Sequence, residues 1–401
     1  MRGLDIRGGL RSPQIWGFAL LAVIGPWISI LFPRVMAGVL PVVALLAVSG
    51  FWVVHRRLPV MERMPWLLAA IVVLFCALSA LWAPDPMFVL DSTVRMAGAF
   101  VSGLLLFFAA GELEEEQRHI LRGFFVGGFL FALAFICVNY FTNSMLITPL
   151  LSEHDAADLD ARDNRGMVVL CLMLWPLLYA AQSFLSREDG RRYAVLLLIP
   201  LTFLVSLLTD SQTSGTAIFL GGLLYLFARA YPLTANRLVA YGGAFLILTL
   251  PCLVLALRHF DPTIGFDWSE ASSGARLEIW YAVAEHALRS PLIGHGMDAA
   301  RFVSDWGMAH FHYPFETIMH PHNGVLQIWY EFGLLGAAFA AGVWLAVARR
   351  VGDLPAREVA VSLTLLSVIA VISTISHGLW QSWWLAAVGL SPALIRMMRQ
   401  P

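Results

Sequence analysis

The sequence predicts an all-α polytopic membrane protein, and three observations carry that reading. Of 401 residues, 59% are hydrophobic and only 13% are charged, against about 25% charged residues in ordinary soluble proteins. The apolar residues gather into runs of about 20, the length with which a helix crosses a bilayer core. The basic residues, all 26 of them arginine, divide unevenly between the two sets of connections those runs create. A net charge of -1 points to no class of partner, and nothing in the chain supports nucleic-acid binding.

Taken in order, the runs place about twelve spans near 15–32, 35–54, 65–82, 94–110, 119–141, 166–184, 193–209, 215–230, 237–258, 323–348, 357–376 and 382–398. The leading "MRGLDIRGGLRSPQ" carries three arginines ahead of an apolar stretch, as a signal peptide does. The stretch is long, no small-residue cleavage site follows, and a second span comes at once, so a retained first helix is expected. With the N-terminus inside, eighteen arginines fall on inner segments and eight on outer ones. That bias satisfies the positive-inside rule and predicts that both termini are cytoplasmic. Cys76, Cys137, Cys171 and Cys252 all lie in apolar runs, where they read as small core residues.

The organisation that follows is spans one to nine over 1–258, a large outer loop over 259–322, and spans ten to twelve over 323–401. The loop contains its own structure. In "SSGARLEIWYAVAEHALRSPLIGHG", Leu277, Trp280, Tyr281, Ala284 and Leu288 recur with helical spacing on one face. Ser273 or Gly274 is placed to cap this helix and Ser290-Pro291 with Gly294 to stop it. An amphipathic helix lying on the outer membrane surface and roofing a cavity is expected.

The groups with chemistry gather at the outer boundary. His310, His312, His320 and His322 sit in "HFHYPFETIMHPHN". Paired HxH spacing suits a metal, but Pro321 separates one pair, no cysteine is near, and Glu316 is the one adjacent carboxylate. A neutral histidine is also a proton acceptor near pH 7. His322 is the better placed, at the start of span ten with Asn323 and Gly324 following; it reads equally as a general base or as a helix cap. Arg165, in "DARDNRGMVV", and Arg276 each stand where the chain enters the bilayer. A guanidinium fork binds phosphate through two hydrogen bonds, so two arginines facing one cavity suit a lipid pyrophosphate. Pairing with local carboxylates, Asp163 and Glu278, is the alternative.

Other candidates are Arg289, as a glycan or phosphate contact or a helix-end cap, and Arg95, in an outer cluster with Asp91 and Asp85. "TDSQTSG" at 209–215 reads as caps and local hydrogen bonds. "SHGLWQSWW" at 376–384 reads mainly as an interfacial aromatic belt, although His377 and Gln381 are placed to line a sugar path.

Together these pieces resemble the O-antigen ligase and O-antigen polymerase superfamily of lipopolysaccharide biosynthesis. The matching residues are Ser273, Gly274, Arg276 and Trp280; Pro291, Leu292, Gly294 and Gly296; His322 and Asn323; and Glu331, Gly333 and Gly336. Ala275 is an insertion between Gly274 and Arg276, and "SQTSG" stands where the family often has a Ser-Arg pair. The resemblance implies a GT-C-like, all-helical glycosyltransferase in the bacterial inner membrane, with its active site facing the periplasm. It implies an undecaprenyl-pyrophosphate-linked glycan as donor and, for a ligase, a lipid A-core acceptor. His322 would then be the base, Arg165 and Arg276 the pyrophosphate clamp, and Arg289, Asn323, His320, Arg95 and His377 substrate contacts. The displacement would invert the anomeric centre, with no metal or other cofactor required, and a monomer is the expected state. The alternatives are a polymerase or a protein O-oligosaccharyltransferase of the same superfamily or, outside enzymes, a transporter of lipid-linked glycan.

Overall fold

A computed structural model describes residues 12–150, 159–185, 188–259, 271–307 and 318–399. The arginines at positions 2, 7, 11 and 187 and the histidines at 310 and 312 lie outside the described residues. Thirteen α-helices account for nearly all of what is described, and there is no strand among the described residues. They are α1 (Pro13–Leu31), α2 (Met36–His55), α3 (Arg63–Leu78), α4 (Pro86–Gly111), α5 (Glu115–Phe141), α6 (Leu159–Ser183), α7 (Glu188–Leu208), α8 (Gln212–Ala230), α9 (Pro232–His259), α10 (Ala271–Ala287), α11 (Gly324–Gly352), α12 (Ala356–Ile375) and α13 (Ser382–Met397).

Ten of these helices are long and apolar enough to cross a membrane, where twelve were expected. The two that fall short are α8, whose first turn is the polar "QTSGT", and α13, only 16 residues long. Helix α8 packs one face against α7 and α12 while Phe219, Leu223 and Leu226 stay exposed, and α13 packs against α4 and α2. The chain is an all-α polytopic membrane protein.

Between helices in lipid, association relies on close packing more than on the hydrophobic effect, and small residues allow the closest approach. A Cβ at Gly166 on α6 would meet the Ser29 carbonyl of α1 at 2.8 Å, and Gly103 on α4 faces Gly389 on α13. Helix α6 is the centre of the assembly: 89% of its span is buried, including Trp175, Leu177 and Leu178. A second cluster joins α9, α10 and α11 through Ile279, Val283, Trp329 and Tyr330.

Helix ends leave carbonyls without intrahelical partners, and two buried arginines of α5 meet them here. Arg118 donates to Ala110 and Gly111 at the end of α4 (2.9 and 3.1 Å) and to Arg396 on α13; Arg122 donates to Met398 (3.2 Å) and Arg399 and pairs with Glu115. Both stand on an arginine-rich side of the bundle.

The loop helix differs from its expected form. It begins by Ala271, so Ser273 and Gly274 lie within it rather than at its cap. Tyr281 and Ala284 of the expected stripe are buried, and so are Ile279, Ala282, Val283, His286 and Ala287, because α10 packs against both α9 and α11; Leu288, just past the helix end, is exposed. Two walls bury more of its circumference than one apolar stripe anticipates.

Candidate functional site

Helix α11 begins at Gly324, and its cap is Asn323, whose side-chain oxygen accepts from the Leu326 N–H at 3.0 Å. His322, expected in the first turn, stands just before that cap. Its φ of 54° is left-handed, a conformation that costs a non-glycine residue roughly 1–2 kcal/mol and that gathers at functional sites. Capping is thus performed by Asn323, which is fully buried in doing so, and the His322 ring is left for other work.

That ring is oriented by a main-chain oxygen. His322 Nδ1 lies 2.7 Å from the Ser376 carbonyl. A carbonyl only accepts, so Nδ1 carries the proton and, in the neutral ring, Nε2 keeps its lone pair. One residue back, the Ile375 carbonyl accepts from Arg276 Nη1 at 3.2 Å. Both oxygens belong to the C-terminal end of α12, where carbonyls lack helical partners and the helix dipole is negative.

His320 stacks edge-on to His322, with centroids 4.3 Å apart, and its tautomer is also set. Trp383 Nε1 donates to Gln381 Oε1 at 2.9 Å, which leaves the Gln381 amide nitrogen facing His320 Nε2 at 2.7 Å. That nitrogen donates, so His320 Nε2 accepts and its proton resides on Nδ1. His320 Nδ1 is buried without a hydrogen-bond partner. The two imidazoles therefore present opposite faces, one a lone pair and the other an N–H.

Burial, opposed in part by the Ser376 hydrogen bond, and the nearby Arg276 charge hold His322 below the ordinary histidine value. Burial and the His322 and Arg301 charges bring His320 down to about 4. His377 falls to about 3, through burial and then the charges of His322, His320, Arg165 and Arg276. Arg165, whose charge is among those acting on His377, stands in the second turn of central α6. His377 packs against Trp383 and Trp384 with Nε2 3.1 Å from Ser376 Oγ. Burial also lowers the Arg276 guanidinium. The Asp163 carboxylate is engaged by Arg162. Beside Arg276 a cavity of about 270 Å³ is lined by Gln212, Thr213, Thr216, Leu277, Trp280 and Ile375.

Two candidates lie elsewhere. Arg95 pairs with Asp91 (2.7 Å) and Ser92, and Ser92 donates to Asp298, which also pairs with Arg301. Arg289 donates to His286 Nε2 at 3.1 Å beside the 290–296 turn. Among the described residues no group of three or more His, Cys, Asp or Glu is gathered as metal ligands would be.

The two glycine motifs explain each other. Helix α11 is broken at Gly333 (φ 59°, ψ -154°), and the 291–296 turn fills the break. His295 N–H donates to Tyr330 (2.9 Å) and Gly296 N–H to Glu331 (2.8 Å), while Leu334 and Leu335 N–H return to Pro291 and Leu292 (2.7 and 3.1 Å). Glu331, fully buried, accepts from Trp380 Nε1 (2.6 Å) and Gln327 Nε2 (2.8 Å), and Gln327 accepts from Leu379 N–H (2.9 Å). These bonds pin the 376–381 connection whose carbonyl orients His322.

Residues 194–341 match the family model described as O-antigen ligase. Across 82% of the chain, 332 residues are 22% identical to a provisionally named polysaccharide ligase of Rickettsia conorii, covering 78% of that protein. Similarly named proteins of Rickettsia felis and Rickettsia bellii are 23% and 24% identical over the same share of this chain and 79% and 78% of their own. Over residues 194–341 the chain is similar to the O-antigen ligase family. Within the family match fall α10, the interlocked glycines and the His320–His322 pair, while Arg165 on α6 and the Ser376 and Gln381 supports lie outside it.

Sequence reasoning missed four parts of the site. Ser376 acts through its main-chain carbonyl, which no side-chain pattern announces. Gln381 was placed along a sugar path but not as the partner that sets His320, and Trp383 was legible only as part of an aromatic belt. The 209–215 stretch makes the local hydrogen bonds expected of it, Ser211 to Ser214 and Thr209 to the Ser206 carbonyl, but Gln212 and Thr213 also line the Arg276 cavity and Ser211 Oγ donates to Asn164 Oδ1 of α6 at 2.6 Å; its run of hydroxyls between apolar helices was the available signal.

Proposed function

We propose that the chain transfers a polysaccharide from undecaprenyl pyrophosphate to a sugar hydroxyl of lipid A-core, at the periplasmic face of the bacterial inner membrane. The observation that carries this reading is the attachment of Arg276 and His322 to consecutive carbonyls at the end of α12. A base and a cation held this way are fixed before any substrate arrives.

The acceptor hydroxyl gives its proton to His322 Nε2 as its oxygen bonds to the anomeric carbon. The bond from that carbon to the pyrophosphate oxygen breaks, and its electron pair leaves with the phosphate. Arg276 and Arg165 offset the charge growing there, the preorganised electrostatic effect that usually contributes most to rate. The leaving group is stable as an anion and needs no acid, and attack opposite to it inverts the anomeric centre. The negative end of α12 favours the imidazolium formed on His322. His320 Nδ1–H is a donor for a substrate oxygen.

A transporter reading is less well supported, because transporters concentrate polar groups near the bilayer midplane. Here they stand before α11, at the end of α12 and in the second turn of α6. The test is transfer by the purified protein, given undecaprenyl-pyrophosphate glycan, lipid A-core and a chelator. Glycan on lipid A-core with inverted linkage is expected. Lengthened lipid-linked glycan would assign a polymerase instead, and movement of glycan lipid across vesicles without transfer would assign a transporter.

A further inference from the structure

A larger cavity, of about 380 Å³, shares no lining residue with the one beside Arg276. It opens between the ends of α1, α5 and α7 and the start of α6, and its size falls within the range of about 300–1,000 Å³ typical of small-molecule sites. Its polar lining includes Asn139, Asn143, Ser144, Asp163 and Thr209, and its apolar lining includes Phe135, Ile136, Met167 and Leu208.

Asn139 is the decisive group. It is 5% exposed, one end of its amide reaches Ser144 Oγ at 3.4 Å, and the other end is buried with no partner. A buried polar atom without a partner calls for an explanation, and a ligand in the cavity it lines supplies one. Asn143 and Ser144, at the rim, adopt left-handed φ of 50° and 63°.

The lining selects among ligands. No arginine is among the described lining residues, and the one carboxylate, Asp163, is engaged by Arg162. Among the described lining residues a phosphate would find no cation, and the neighbouring Arg162 is held by Asp163. A hydrocarbon tail would leave the buried Asn139 oxygen unsatisfied. A neutral sugar ring fits both halves: its hydroxyls donate and accept, as an amide and a hydroxyl rim require, and its C–H face covers an apolar wall.

The two cavities also share one turn. Thr209 lines this one, while Gln212, Thr213 and Thr216 line the Arg276 cavity. Between them Ser211 is bonded to Asn164 and to Ser214 at 2.8 Å, which fixes the turn against α6. We propose that the cavity between α5, α6 and α7 is a sugar subsite, holding a neutral pyranose ring of a glycan whose reacting end lies beside Arg276. The last clause rests on the proposed transfer reaction; the sugar binding does not.

The experiment is equilibrium binding to the full-length protein in nanodiscs. The probes are two fluorescently labelled oligosaccharides, one released from the lipid-linked polysaccharide by mild acid and one from lipid A-core. Asn139→Leu removes the hydrogen-bonding group, and Thr209→Trp occupies the space from the rim. The expected result is at least tenfold weaker binding of one oligosaccharide in both variants at an unchanged unfolding midpoint, and the oligosaccharide affected tells donor glycan from acceptor. Inorganic pyrophosphate should not compete. Wild-type protein that binds neither probe, variants that bind like wild type, or competition by pyrophosphate would overturn the proposal. Sugar binding without transfer would count against the transfer reading alone, and transfer with unaltered binding in both variants against the subsite alone.

Discussion

Arg276 and His322 hold consecutive carbonyls: Nη1 of the first is 3.2 Å from the oxygen of Ile375, and Nδ1 of the second is 2.7 Å from that of Ser376. One helix end thus sets both the direction of a positive fork and the tautomer of an imidazole. The acceptors are main-chain atoms at the end of a packed helix, so neither orientation depends on a mobile side chain.

Replacement of Arg276 tests the cation. Arg276→Gln should lower kcat about 10²–10³-fold, the typical effect of losing one preorganised donor. Arg276→Lys should recover only a fraction, since a point charge cannot reproduce the two-pronged geometry. Single-turnover transfer rates measure both, and a fully active lysine variant would contradict the clamp.

The pH response follows from burial. His322 is held below the ordinary histidine value of about 6.5, so kcat/KM should be flat above that pH and fall along an acid limb centred below it. Stability should move in the same direction. His320 and His377 titrate near 4 and 3 when folded and near 6.5 when unfolded, so below about 6.5 the unfolded state binds more protons. Their contribution is fully present above that pH and is lost as pH falls toward 4 and then 3. Unfolding midpoints in detergent between pH 8 and 4 measure this, and His377→Gln should flatten the slope. An acid limb above 6.5 would contradict the buried neutral base.

Gly294 and Gly333 should be intolerant of alanine. Both have positive φ, and a Cβ on either would lie 2.4–2.5 Å from main-chain atoms of the other's segment. The left-handed conformation alone costs an alanine roughly 1–2 kcal/mol, and the clash adds to it. Gly294→Ala and Gly333→Ala should each lower the unfolding midpoint, and their costs should not add, because either one opens the same interlock.

The transmembrane character, the arginines at the bilayer entrance and His322 were all legible in the sequence. Apolar runs and their flanking charges are local signals, and a histidine before Asn-Gly at a helix start stands out against them. The role of the glycine motifs was not legible, because Gly294 and Gly333 are 39 positions apart and meet only when the 291–296 turn fills the break in α11. The supports of His322 were hidden for a related reason: Ser376 contributes a carbonyl and Glu331 acts through Trp380. The stripe on α10 misjudged Leu288 because the helix ends at Ala287, one residue before it.

Gln381→Glu tests how His320 is set. A carboxylate accepts from Trp383 as the amide does but cannot donate to His320, so the His320 proton should move to Nε2. The ¹⁵N shifts of the labelled imidazole report that change, and transfer should slow by less than the roughly 10²–10⁴-fold of a lost general acid or base. An unchanged tautomer would show that Gln381 does not govern it.

The central claim is that His322 removes the acceptor proton, and the most direct measurement is single-turnover transfer by His322→Ala and His322→Gln beside wild type, with added imidazole. The account predicts a loss of at least about 10²-fold in both, unchanged unfolding midpoints, and partial rescue of the alanine variant by imidazole with an acid limb that follows the pKa of the added base. Transfer by either variant at the wild-type rate would contradict it.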